Sequence, residues 1–67
     1  MTLKDFLQRR LSEISQALSG LDEAEALIRV AESGGISQDE ERRRLEQERT
    51  QLLSMKKQIE TELAKAK

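Results

Sequence analysis

The sequence predicts an all-α protein folded as a two-helix antiparallel coiled-coil hairpin. Apolar residues recur every seven positions in each half of the 67-residue chain, the spacing that keeps one stripe of a helix against a partner helix. A single Gly-Gly pair, Gly34-Gly35, separates the halves, and glycine commonly closes a helix. A chain that folds back there brings the two series into register, layer by layer: Ile28 with Leu45, Leu21 with Leu52, Ile14 with Ile59, and Leu7 with Ala66.

The first helix is predicted over about 3–33. Thr2 followed by Asp5 has the spacing of a capping box, in which side chain and backbone at a helix start bond each other reciprocally. Gly20 is the weak point of this helix, because an internal glycine costs about 1 kcal/mol relative to alanine. The heptad series continues across Ser19 and Gly20 without losing a step, which favours a continuous or kinked helix over two separate helices.

The turn is predicted over 34–37 and the second helix over about 38–65. Ser37 is expected to cap the second helix, with Glu40 as the reciprocal partner in the box. Ile36 is expected to fold back on the last turn of the first helix. Helices of about 30 residues are about 45 Å long at 1.5 Å per residue, so the molecule is expected to be a rod.

The predicted seam between the helices is apolar at one position of each heptad and mixed at the other. Glu48 and Glu62 are expected near the mixed positions, where Arg49 and solvent neutralise their charge. The residues expected to form the seam are Leu7, Ile14, Leu18, Leu21, Ile28, Leu45, Leu52, Met55 and Ile59.

Five large apolar residues lie outside this seam and are the candidate partner-binding residues. Two helices in contact bury one stripe each, and this chain carries more apolar material than that. These residues either stay partly exposed, as scattered surface apolar residues do, or form a second face that docks on another chain, the interpretation that we favour. The expected partner is another helical protein or a second copy in a four-helix bundle. The five residues are Leu3, Phe6, Leu27, Val30 and Leu53.

Composition argues against catalysis and against cofactors. The chain has no His, Cys, Trp, Tyr or Pro, so the imidazole base, thiolate ligands and most stacking platforms are absent. Gly34-Gly35 lacks the Lys-Ser/Thr continuation of a phosphate-binding loop. We therefore predict no catalytic, cofactor-binding or metal-ligating residues and no small-molecule substrate.

Charge and hydropathy favour a protein partner over nucleic acid or membrane. Twelve Lys and Arg nearly balance 13 Asp and Glu, for a net charge of -1, which provides no general attraction to polyanions. The one basic run, Arg42-Arg43-Arg44, lies among acidic residues and is expected to be a solvated, salt-bridged helix surface. No apolar stretch approaches the roughly 20 residues of a membrane span, and the first residues lack a signal-peptide pattern. The expected location is the cytoplasm.

In length, in its two helices and in its central glycine turn, the chain resembles the small cochaperones of type III secretion systems. The segment Leu45-Glu46-Gln47-Glu48 is similar to the second helix of that family. The resemblance implies a hairpin that pairs with a larger helical-repeat chaperone to keep the needle subunit monomeric. The expected function is thus a non-enzymatic protein-interaction module, most specifically a small bacterial chaperone or adaptor subunit. The alternative is a self-sufficient homodimeric four-helix bundle with a structural or nucleic-acid-associated regulatory role.

Overall fold

The protein is a rod made of two antiparallel helices. The structure, a computed structural model, describes residues 2–65. Its helices are α1 (Leu3–Ser33) and α2 (Asp39–Lys65), which contact each other along a molecule of 51 × 16 × 13 Å. The predicted two-helix hairpin is confirmed. Ala66, the predicted neighbour of Leu7, lies outside the described residues.

α1 begins with the predicted capping box and runs without a break. Thr2 Oγ1 accepts a hydrogen bond from the Asp5 N–H at 3.1 Å, and the Thr2 N–H donates to Asp5 Oδ2 at 3.4 Å. The helix then continues through Gly20 to Ser33. A Cβ at position 20 would meet no atom within 4 Å, so the packing within the hairpin does not require a glycine there.

The turn closes α1 through a glycine in the left-handed conformation. Gly35 has a φ of 88°, which residues with a Cβ adopt at a cost. Its N–H donates to the Glu32 carbonyl at 3.0 Å, and the Ile36 N–H donates to the Ala31 carbonyl at 3.1 Å. These two bonds form the Schellman motif and satisfy carbonyls that the helix end leaves open.

α2 begins at Asp39, one residue later than predicted. The Arg42 N–H donates to the Gln38 carbonyl at 2.9 Å, which makes Gln38 the first acceptor of the helix. Ser37 therefore stands one residue too early to cap, and within residues 2–65 no side-chain hydrogen bond joins it to Glu40. The expected capping box at Ser37 was wrong. The first turn of α2 instead carries three acidic residues, which interact favourably with the positive end of the helix dipole.

The buried core belongs to α1. Its four buried side chains follow the heptad, and Ile14 is the most enclosed at 3% exposure. α2 contributes no fully buried residue; its predicted seam residues are half-buried, as is Leu18 of α1. The hairpin thus encloses a single narrow row of side chains: Leu7, Ile14, Leu21 and Ile28.

Candidate interaction surfaces

Two arginines of α2 form ion pairs with acidic residues of α1 beside the core. Arg42 Nε donates to Glu32 Oε2 at 2.9 Å and its Nη2 donates to Glu32 Oε1, so this pair is bidentate. Arg49 Nη2 donates to Asp22 Oδ1 at 3.0 Å and to Glu25 Oε2 at 3.2 Å. Bidentate arginine–carboxylate pairs add geometric specificity as well as energy. These contacts join the helices in the half of the rod near the turn.

The Arg42–Glu32 pair stabilises the charged form of both side chains. The hydrogen bond from Arg42 holds the pKa of the Glu32 carboxyl below its ordinary value, and partial desolvation opposes this less strongly. The same bond raises the pKa of the Arg42 guanidinium. A carboxylate that is kept ionised accepts hydrogen bonds but does not donate a proton near neutral pH. The pair therefore holds the two helices together. Because Glu32 stays ionised, it is unsuited to acting as a general acid.

The seam extends to a second row of each helix, which we call the flanking row. Its members are all half-buried, whereas Glu48 and Glu62, which were expected near the seam, are exposed. The expectation for those two residues was wrong because α2 contacts α1 on the side of the flanking row. That row comprises Leu11, Leu18, Glu25 and Glu32 on α1, and Leu63, Lys56, Arg49 and Arg42 on α2.

The flanking row changes character along the rod. Its half near the chain ends is mainly apolar, and its half near the turn consists of the ion pairs. The three residues of the basic run, Arg42-Arg43-Arg44, have different surroundings. Arg42 is part of the seam, whereas Arg43 is exposed. Arg44 is also on the surface, with its Nη1 3.9 Å from Glu41 Oε2. The expected solvated surface describes Arg43 and Arg44, whereas Arg42 is salt-bridged, as expected, but lies half-buried in the seam.

All five candidate partner-binding residues are exposed. Leu27 and Val30 are the most exposed, at 71% and 69%. They lie near the turn, whereas Leu3 and Phe6 lie in the first turns of α1, at the other end of the rod. Ile36, in the turn, is a further large apolar residue that is exposed, at 60%.

The five residues do not share one face. Successive helical residues are about 100° apart, so Phe6 and Leu27, each one residue before a buried position, lie about 100° to one side of the core. The flanking row of α1, four residues after each buried position, lies about 40° to the other side. Leu53 follows the seam residue Leu52 and lies on the side of the ion pairs. The exposed apolar face therefore consists of α1 residues, and Leu53 is separate.

The described residues hold few features of a ligand site. A depression between the helices, lined by Glu25, Arg42, Leu45, Glu46 and Arg49, has a volume of about 150 Å³, below the roughly 300 Å³ at which ligand pockets begin. Two larger concavities, of about 660 and 430 Å³, are lined only by exposed polar residues of α2 and are open to solvent. Within residues 2–65 no three metal-ligating side chains are grouped. Neither helix, over the same range, has a segment of the length and hydropathy needed to traverse a bilayer.

No family model, curated protein or solved structure matches this chain. The functional assignment therefore has to be argued from the surfaces of the hairpin itself.

Proposed function

We propose that this chain is a non-enzymatic protein-interaction module that binds another helical surface through the exposed apolar face of α1. The observation that carries the proposal is the contrast within α1. Its core side chains are buried, while Leu27 and Val30, one helical turn apart, are about 70% exposed. Large exposed apolar groups that lie together on a surface favour association.

The most specific form of the proposal is a small bacterial chaperone or adaptor subunit that shields a helical partner in the cytoplasm. This form is supported by the resemblance to the type III secretion cochaperones in length, helix number and glycine turn. A shielding subunit needs an apolar stripe on an otherwise charged, soluble helix, and helix-in-groove recognition uses anchors spaced by three or four residues. Leu27 and Val30 have that spacing, as do Leu3 and Phe6.

A matched pair of leucine substitutions tests the proposed function. Leu27→Gln removes an anchor from the α1 face, whereas Leu53→Gln makes the same change on the opposite side. The tagged chain is purified from its native host, the co-purifying protein is identified, and binding is measured with purified components together with self-association by sedimentation. We expect Leu27→Gln to weaken the association and Leu53→Gln to leave it unchanged.

Three results would count against the proposal. If neither substitution changes partner binding or self-association, the apolar face of α1 is not an interaction surface. If both weaken binding equally while circular dichroism shows intact helices, the surface is not confined to α1. Association that depends on Leu27 but involves no helical partner would contradict the proposed mode of recognition.

A further inference from the structure

We infer that the helical surface bound by α1 is α1 of a second copy, packed antiparallel about a two-fold axis between Gln16 and Ala17. This inference rests on the proposed function, because it uses the same exposed face and names the partner. In the symmetric arrangement Phe6 lies opposite Leu27 of the second copy, and Leu27 lies opposite its Phe6. The two exposed apolar ends of α1 thereby cover each other.

The spacing of the apolar residues suits such an axis. Phe6 and Leu27 are 21 residues apart, which is three heptads, so they occupy the same stripe of a helix that follows the coiled-coil period. On the neighbouring stripe, Leu3 lies within one residue of the level of Ala31 of the second copy. Midway between the ends, Gly20 lies on the first of these stripes and Ala17 on the second, and both are exposed; Glu13, also on the first stripe, is paired with Arg10. Small residues at the centre allow two helices to approach closely where they meet at the axis.

Charge complementarity points to a copy of this chain and fixes the register. Arg9 and Glu23 are exposed and, within residues 2–65, neither forms an ion pair in the hairpin. They lie on the third stripe of the same face, and the axis between Gln16 and Ala17 brings Arg9 within one residue of the level of Glu23 of the second copy, twice per dimer. Arg10, by contrast, is already paired with Glu13 at 3.1 Å. The face therefore carries its own complementary charges.

The exposed area is sufficient for a stable interface. The chain exposes 5310 Å², against about 4300 Å² expected for a compact monomer of 7.7 kDa. The excess of about 1000 Å² comes from the elongated shape of the hairpin and is larger than the roughly 800 Å² that each partner buries in a standard interface. The corresponding side of α2 carries Glu41, Glu48 and Glu62, all exposed. The contact is thus made by the two α1 helices, with α2 outside them.

Two alanine substitutions on opposite sides of α1 test whether this face dimerises. Ala17→Lys places two ammonium groups at the axis, and Ala26→Lys makes the same change on the side of α1 away from the core. Both alanines are exposed, so neither substitution disturbs the hairpin. Sedimentation equilibrium should give twice the 7.7 kDa chain mass for the unaltered protein and for Ala26→Lys, and the single chain mass for Ala17→Lys.

Charge reversal tests the register. Arg9→Glu and Glu23→Arg should each weaken dimerisation several-fold, since each brings like charges together at two places. The double variant Arg9→Glu with Glu23→Arg should restore it. These residues are 14 positions apart, about 21 Å along one helix, so rescue cannot arise within a single α1. A dimer in which the single reversals have no effect, or are not rescued, contradicts the antiparallel register.

The outcomes separate this inference from the proposed function. An unaltered chain that stays monomeric, or a dimer equally stable in Ala17→Lys and Ala26→Lys, overturns the inference. A monomeric chain that still binds a different helical protein and loses that binding in Leu27→Gln overturns the inference but leaves the proposed function in place. Loss of neither self-association nor partner binding in Leu27→Gln overturns both.

Discussion

Individual side chains stabilise this hairpin by two different means. Near the turn, Arg42 and Arg49 connect α2 to acidic residues of α1 through charge-assisted hydrogen bonds. Along the axis, four aliphatic side chains exclude water. The two kinds of contact respond to different changes in solution conditions, and each predicts the outcome of a single substitution.

The Glu32 carboxylate should make hairpin stability depend on acid pH. Its pKa is lowered in the folded chain by the hydrogen bond from Arg42, relative to about 4.3 for an unfolded glutamate. Its contribution is therefore fully present above about pH 4.3 and is lost as pH falls through the folded pKa. Thermal unfolding by circular dichroism should show Glu32→Gln below the unaltered protein at pH 7, with the difference shrinking as pH falls below about 4.3.

Glu60→Gln is the matched control for that titration, because Glu60 is exposed and forms no ion pair within residues 2–65. Its melting temperature should follow that of the unaltered protein at every pH. A Glu32→Gln difference that persists unchanged into acid would show that the ion pair is not its cause.

The enclosure of Ile14 should make it more sensitive to truncation than Ile59. Ile14 is 3% exposed, whereas Ile59 is half-buried. Ile14→Val removes one methylene from the core and should cost about 0.5–1.5 kcal/mol, and Ile59→Val should cost less. Urea unfolding followed by circular dichroism measures both, and equal losses would mean that the hairpin encloses Ile59 as fully as it encloses Ile14.

At the scale of the helices, each helix end depends on residues that are close together in the sequence, whereas the contact between the helices depends on residues that are far apart. The capping box at Thr2 and the Schellman motif at Gly35 each involve residues within a few positions of one another. Both were predictable from residue type and spacing for that reason. Gly20 in α1 and Gly35 in the turn also differ in local backbone conformation, so the same substitution should have opposite effects at the two positions.

Alanine should stabilise the hairpin at position 20 and destabilise it at position 35. Gly20 is helical with open space around its Cβ position, so Gly20→Ala should gain about 1 kcal/mol. Gly35 has a φ of 88°, so Gly35→Ala should lose about 1–2 kcal/mol through steric strain at that residue. Thermal unfolding of the two variants side by side should move in opposite directions, and a gain at position 35 would contradict the left-handed turn.

The face that each helix turns toward the other was predictable from the sequence, but the rotation of the helices about each other was not. The heptads identified the buried row of α1 and the half-buried leucines of α2, because apolar periodicity reports which face is covered. They placed Glu48 near the mixed positions of the seam, whereas Glu48 is exposed and it is Arg49 that pairs with Glu25. A shift of one residue decides which charges meet, and that shift depends on how the helices rotate about each other. Ser37 failed as a cap for a similar reason, since the path of the turn starts α2 one residue later.

For the molecule as a whole, protection from solvent should be concentrated in the middle of α1. The buried residues run from Leu7 to Ile28, while the first turn of α1 and the last turn of α2 contribute none. Opening of a protein is local and starts where few apolar contacts are buried. Amide hydrogen exchange should therefore be slowest between Ile14 and Ile28 and faster before Leu7 and after Ile59. Uniform exchange along both helices would instead indicate all-or-none opening.

The antiparallel course of the helices places Thr2 and Lys65 at one end of the rod and Ile36 at the other. A fluorescent label at Thr2 or at Lys65 therefore reports on the end of the rod away from Leu27 and Val30 of its own chain. In the inferred dimer the two copies point in opposite directions, so labels on Thr2 of each copy would be separated by a distance approaching the 51 Å length of the rod. The two ends of the hairpin therefore differ, and the distance between labels on two copies reports whether those copies are parallel or antiparallel.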